Sequence, residues 1–91
     1  SIDVCKMMFE EIMKFNMDVK KLSIDQSRGQ MRALVDGTGD SRQTIEQVLN
    51  RLKAKPDFAN AQIQGSITIT QDGRYTYQYL IPLPERLPNA Q

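Results

Sequence analysis

Between residues 2 and 15 the apolar positions Cys5, Met8, Phe9 and Ile12 recur at the i, i+3, i+4, i+7 spacing of one buried helical face. The same stretch places Lys6, Glu10, Glu11 and Lys14 on the outside, with Glu10 and Lys14 four residues apart in the favourable order for a weak ion pair. From Asp18 the period changes to two. Leu22 and Ile24 alternate with Lys21, Ser23 and Asp25, the run Gln26-Ser27-Arg28-Gly29 turns the chain, and Met31, Ala33 and Val35 resume the alternation. Only an even loop, of two or four residues, sets both apolar sets on one face of the resulting hairpin.

Gly37-Thr38-Gly39 then predicts a break in the strand, and Asp40 or Ser41 is placed to cap a second helix carrying Ile45, Val48, Leu49 and Leu52. Pro56 cannot continue that helix, so it should stop near Lys55 with Phe58 folded back over its end. A second hairpin follows. Ile63, Gly65, Ile67 and Ile69 alternate on one side of Asp72-Gly73, and Tyr75, Tyr77, Tyr79 and Ile81 alternate on the other. A two-residue turn would throw the isoleucines and tyrosines onto opposite faces. A three-residue loop, Gln71-Asp72-Gly73 with Gly73 left-handed, instead pairs Ile69 with Tyr75, Ile67 with Tyr77 and Gly65 with Tyr79, so that a tyrosine covers the strand glycine.

The predicted order is α-β-β-α-β-β, and the fold class is α+β. The expected architecture is a ferredoxin-like two-layer sandwich, circularly permuted, with a four-stranded antiparallel sheet and two helices on one face. Residues 1–83 form the single αββαββ domain and residues 84–91 an extended C-terminal tail. In that arrangement the second and fourth strands are central, and Val19 to Asp25 lies on an exposed edge blunted by Lys20 and Lys21.

Composition narrows the functions. A chain of 91 residues holds one core, and 40% hydrophobic with 25% charged residues is ordinary for a folded globular protein. Twelve basic and eleven acidic side chains leave a formal charge of +1, which argues against nucleic acid or an anionic membrane surface as the partner. With no histidine and one cysteine, the chain offers neither a Cys/His metal cage nor an internal disulfide, and no residues gather as a catalytic set. The expectation is therefore no enzyme activity, no cofactor and no metal. Cys5 on the apolar stripe reads as a small buried hydrophobe. Asp36-Gly37-Thr38-Gly39-Asp40 lacks the Lys-Ser/Thr of a phosphate-binding loop and reads as a flexible connection into the helix cap. Lys53 and Lys55 read as partners of the helix dipole. The tyrosine stripe reads as core beneath the helices, since only one strand is aromatic and the arginines are interrupted by aspartates. The start at Ser1, without an initiator methionine and directly into a helical pattern, suggests a fragment cut from a longer protein or a processed product, with room for a membrane anchor in whatever preceded Ser1.

Leu22-Ser23-Ile24-Asp25-(x)3-Gly29-(x)-Met31, the short helix opened by Ser41 with Val48, Leu49 and Leu52, and Pro56-Asp57-Phe58-Ala59-Asn60-Ala61 together resemble the periplasmic domains of bacterial assembly-platform proteins. The Leu52-(x)3-Pro56-(x)-Phe58 stretch is similar to the PilN proteins of type IV pili. Arg28-Gly29-Gln30-Met31 is more similar to the GspL proteins of type II secretion. The resemblance implies a non-catalytic scaffold on the periplasmic face of the inner membrane, anchored before this fragment. It also implies pairing with a partner of similar fold, PilO- or GspM-like, or with itself. On the residues alone, the first helix and the Val19 to Asp25 edge are the candidate interface, with Val19, Lys21 and Ser23 on that edge as the candidate partner-binding positions. The competing expectation is a small-ligand-sensing regulatory domain that holds an amino acid or nucleotide in the hairpin loops and the Gly37-Thr38-Gly39 connection.

Overall fold

The first hairpin closes over two residues that both take positive φ, Arg28 (54°) and Gly29 (78°). Two such residues in succession give the turn whose twist matches that of the strands it joins. In the computed structural model, which describes residues 2–84 with side chains from residue 5 onward, this turn links β1 (Met17–Ser27) to β2 (Gln30–Gly39). The loop is even, as the alternation requires. Leu22 opposes Val35, Ile24 opposes Ala33 and Gln26 opposes Met31.

The strand does not break at Gly37-Thr38-Gly39. β2 continues through all three residues, paired to β1 on one side and to the last strand on the other. These glycines serve close approach instead of flexibility. A Cβ on Gly37 would stand 1.9 Å from the Asp18 carbonyl oxygen and 2.7 Å from Tyr77 Oη, and one on Gly39 would stand 2.8 Å from Met17 Sδ. Opposite Gly37 the alternation of β1 is interrupted. Val19 pairs with Gly37 and Lys21 with Asp36, leaving Lys20 as the extra residue of a bulge.

α1 (Ile2–Ile12) buries Met8 and Ile12, while Phe9 remains 40% exposed and Cys5 half-buried. α2 (Arg42–Lys53) is opened by Ser41, whose Oγ accepts from the Thr44 N–H at 3.0 Å, which settles the cap in favour of Ser41 over Asp40. Ile45, Val48 and Leu52 are fully buried beneath it. The helix ends at Lys53, Pro56 opens a 3-10 turn, and Phe58 is fully buried after it.

Glu11 overturns the expectation that it lies outside. It is buried at 5% exposure, and three cations converge on it: Lys14 Nζ and Arg51 Nε at 3.0 Å and Lys55 Nζ at 3.4 Å. Lys14 therefore pairs with Glu11 and not with Glu10, and the Lys55 side chain, from beyond the end of α2, also reaches Glu11 of α1. The Arg51 guanidinium also lies 5.5 Å from the centre of the Phe15 ring. The hydrogen bond from Lys14, then those from Arg51 and Lys55, outweigh the opposing effect of burial and hold the Glu11 carboxyl down at about 2.

The second hairpin has the expected three-residue loop. Gly73 takes φ of 84°, its N–H donates to the Thr70 carbonyl at 3.0 Å, and Ile69 opposes Tyr75. Further from the turn the expected register fails. Ile63, not Gly65, opposes Tyr79, because the ladder slips between residues 63 and 68, where Gly65 adopts φ of 76°. One expected strand becomes two short ones, β3 (Gln62–Ile63) and β4 (Thr68–Ile69), both antiparallel to β5 (Tyr75–Pro82). The sheet has five strands instead of four, in the order β1-β2-β5-β3 with β4 also on β5.

The architecture is thus α+β, two helices and an antiparallel sheet. One sheet face, through Ala33, Val35, Tyr77, Tyr79 and Ile81, shares a core with Met8 and Ile12 of α1 and Ile45, Val48 and Leu52 of α2. The tyrosines belong to that core. Tyr79 Oη donates to the Ile45 carbonyl of α2 and Tyr77 Oη to the Asp18 carbonyl of β1, each at 2.7 Å. Burial pushes both phenols well above their ordinary range, with the Asp18 and Asp36 charges adding to the effect at Tyr77. Of the tail expected over 84–91, residues 85–91 lie outside the described residues.

Two outcomes follow. Gly37→Ala should lower stability by about 3 kcal/mol or more, since its Cβ meets backbone that cannot rotate away. Urea denaturation with a wild-type midpoint would contradict the packing described. Glu11→Gln should cost about 2 kcal/mol at pH 7, between the values of exposed and buried ion pairs. Because folding lowers the Glu11 pKa from an ordinary 4.5 to about 2, its contribution is full above 4.5 and is lost as pH falls toward 2. The gap between wild type and Glu11→Gln should close over that window in pH-dependent denaturation, and a gap of constant size contradicts the burial of this carboxylate.

Candidate functional site

The sheet face turned away from the helices carries polar side chains at every position near its Gly39 end. Asp18, Thr38, Thr76 and Thr68 stand in one cross-strand row, and Lys21, Asp36 and Gln78 in the next. Of these, Asp18, Thr38, Thr76, Asp36 and Gln78 border a hollow of about 650 Å³, together with Arg74 and the loop residues Thr70 and Asp72.

Its charged groups are largely engaged by threonines and backbone groups. Asp18 Oδ1 accepts from the Thr38 N–H at 2.7 Å and Oδ2 from the Thr38 hydroxyl at 3.0 Å. Arg74 Nε donates to Thr38 Oγ1 at 2.8 Å, and its Nη2 lies 3.3 Å from both the Asn16 and the Thr38 carbonyls. Burial alone would raise the Asp18 pKa. The two bonds from Thr38, with the Lys20 and Arg74 charges behind them, outweigh it and lower the pKa. The Thr70 hydroxyl likewise donates to Asp72 and lowers its pKa. Asp36 Oδ1 is the exception: it is buried without a hydrogen-bond partner among the described residues. Such a set can hold a polar ligand.

The second candidate surface is the β1 edge. Among the described residues β1 pairs with β2 alone, so its other side is open. The two-residue turn makes Ser27 and Gln30 a hydrogen-bonded pair, and the alternation of an antiparallel ladder carries this back along the strand. Lys21, Ser23 and Asp25 turn their N–H and C=O toward β2, whereas Leu22 and Ile24 turn theirs to the open edge. The neighbouring strand agrees with this parity, since the Met31 carbonyl faces away from β1 and accepts from the Leu83 N–H at 2.9 Å.

Side chains divide between the faces accordingly. Leu22 and Ile24 lie on the helix side yet remain 40% and 42% exposed, because they stand at the rim of the helical layer. Lys21, Ser23 and Asp25 lie on the outer face, where Arg32 donates to both carboxylate oxygens of Asp25 at 3.2 and 3.1 Å. Val19 does not share their face. The bulge at Lys20 sends it to the helix side, packed against the core, so of the three positions expected to meet a partner only Lys21 and Ser23 stand together.

Leu22 and Ile24 lie on the edge that the sequence predicts but are not among the partner-binding positions it singles out. Their place on an edge strand was the available signal, because such a strand has no neighbour to cover it. The polar row on the far face also went unread, although alternation with the tyrosines puts Thr76 and Gln78 there.

Among the described residues no group of three or more His, Cys, Asp or Glu is placed to hold a metal ion, and no helix is long and apolar enough to cross a membrane. No family model, curated protein or solved structure matches the chain.

Proposed function

We propose that this chain is a non-catalytic interaction domain of the inner-membrane assembly platform of a type IV pilus or type II secretion system, acting by homo- or heterodimerisation on the periplasmic face. The observation that carries the interaction reading is the open β1 edge, with the backbone groups of Leu22 and Ile24 unpaired toward it and their side chains partly exposed. A long, open, partly apolar edge is a template for strand addition, in which main-chain hydrogen bonds supply affinity and flanking side chains supply specificity. The platform assignment rests on the resemblance of the Leu22–Met31 and Leu52–Ala61 stretches to PilN and GspL proteins. The strand order, with the second strand and the last in the centre, supports a permuted ferredoxin-like arrangement of the kind that the resemblance implies. In that setting the partner is a domain of similar fold, PilO- or GspM-like, or a second copy.

A small-ligand-sensing role is the second reading, and the buried, unpartnered Asp36 Oδ1 beside the polar hollow favours it. Thermal-shift measurement against amino acids and nucleotides tests it: a specific ligand of the folded state raises the melting temperature.

The edge is tested by proline at the right parity. Lys21 donates its N–H inward to β2, so proline there would damage the monomer. Ile24→Pro removes an N–H that faces the opening, where proline is tolerated. The expected outcome is a folded variant whose association with itself or a purified platform partner falls at least about tenfold. Unchanged association in a titration monitored by sedimentation contradicts the edge as the interface.

A further inference from the structure

We infer that the β1 edge is self-complementary and that its occupant is a second copy of this chain, added antiparallel about a two-fold axis through Ser23. This deepens the interaction reading and rests on it.

Two constraints select the register. Two copies of β1 related by a two-fold axis run antiparallel, and the residues that exchange hydrogen bonds must be those whose N–H and C=O face the opening. Those are Leu22 and Ile24, together with Gln26 at the hairpin end. Several registers satisfy that parity, and the side chains distinguish among them. Centring the pair on Ser23 places Leu22 against the partner copy's Ile24, twice by symmetry, as hydrogen-bonded pairs. It also places Lys21 against the partner copy's Asp25, twice by symmetry, in the non-hydrogen-bonded positions where facing side chains approach most closely. A shift of two residues toward the hairpin turn brings the two Asp25 carboxylates face to face, and an equal shift the other way opposes the two Lys21 ammonium groups. Centring on Leu22 or Ile24 avoids these clashes but leaves both charges without an opposite partner.

Each face of the chain fits this arrangement. On the outer face Lys21 and Asp25 are exposed, and Asp25, already accepting from Arg32, retains acceptor capacity for a further donor. On the helix side, Leu22 at 40% and Ile24 at 42% exposure are apolar side chains at the rim of the core, and each would be covered by its counterpart in the other copy. The bulge at Lys20 ends the regular edge next to the paired segment, which limits sliding toward the N-terminal end. The product is one sheet continuous through both copies, with the hydrophobic pairs on the helix side and two ion pairs on the other.

Charge exchange tests both the occupant and the register. The full 91-residue chain and the exposed-site variants Lys21→Asp and Asp25→Lys are compared by sedimentation equilibrium, with circular dichroism to verify folding. The wild-type chain is expected to dimerise. Each variant alone, carrying like charges at both facing positions, is expected to self-associate at least about tenfold more weakly. Mixed, the two variants should form heterodimers of near wild-type affinity, because aspartates at 21 and 25 in one chain then face lysines at 25 and 21 in the other. That recovery also excludes misfolding as the cause of the single-variant losses. A wild-type chain that stays monomeric at millimolar concentration overturns the inference, as does dimerisation that neither variant weakens or a mixture that recovers nothing. If the chain is monomeric but an Ile24→Pro-sensitive complex forms with a different protein, this inference fails and the interaction reading stands. If no edge-dependent complex forms with any partner, both fail.

Discussion

No side chain fits at residue 37, and much of the molecule's layout depends on that. The Asp18 carbonyl oxygen occupies the place a Cβ would take, and Tyr77 Oη donates to the same oxygen from the last strand. Three strands therefore meet at one backbone atom. Beside this contact β1 takes on an extra residue, Lys20, and the bulge shifts the alternation of Met17 to Val19 against that of the hairpin. Beyond it the two-residue turn sets the parity, so that Leu22 and Ile24 open their backbone to solvent while Lys21, Ser23 and Asp25 bind inward. The same contact brings Asp18 beside Thr38, so that a carboxylate takes the Thr38 N–H and anchors the Arg74 network on the outer face.

The helical layer is held to the sheet and to itself by different means. Tyr79 reaches through the core to the Ile45 carbonyl, tying α2 to the central strand. α1 is joined to α2 by apolar contact through Met8 and Ile12 and by Glu11, a buried carboxylate shared among Lys14, Arg51 and Lys55. Such a charge cluster adds less stability than its contacts suggest, since burying the carboxylate is itself costly. It does fix which face of α1 meets α2, because no other position on the inner stripe can accept three cations.

Local chemistry was readable from the residues and long-range geometry was not. The alternation around Arg28-Gly29 requires an even loop and that around Asp72-Gly73 a three-residue loop, as the structure has them, because turn type and side-chain period act within a few residues. Ser41 and Pro56 bounded α2 for the same reason. Gly37 and Gly39 misled because a glycine that permits close approach has the same sequence as one that permits a turn. The slip beside Gly65, which divides one strand into β3 and β4, depends on how residues 63 to 68 lie against β5 and has no local signature. Glu11 was legible in part: it shares the stripe of Met8, Ile12 and Phe15, but its cations at 51 and 55 come from a different element. At the proposed interface, the alternation places Val19 to Asp25 on an edge, whereas the bulge that separates Val19 from Lys21 has no local signature.

The proposed association runs through one strand edge with its polar backbone unpaired and its apolar rim uncovered. Amide hydrogen exchange at Leu22 and Ile24, followed by NMR over a protein concentration series with and without a partner domain, addresses that directly. In the isolated chain at low concentration both amides should exchange rapidly, in contrast to Ser23 between them, and both should become protected as association proceeds. Protection already present in the monomer, or rapid exchange that association leaves unchanged, would contradict the assignment of this edge as the binding surface.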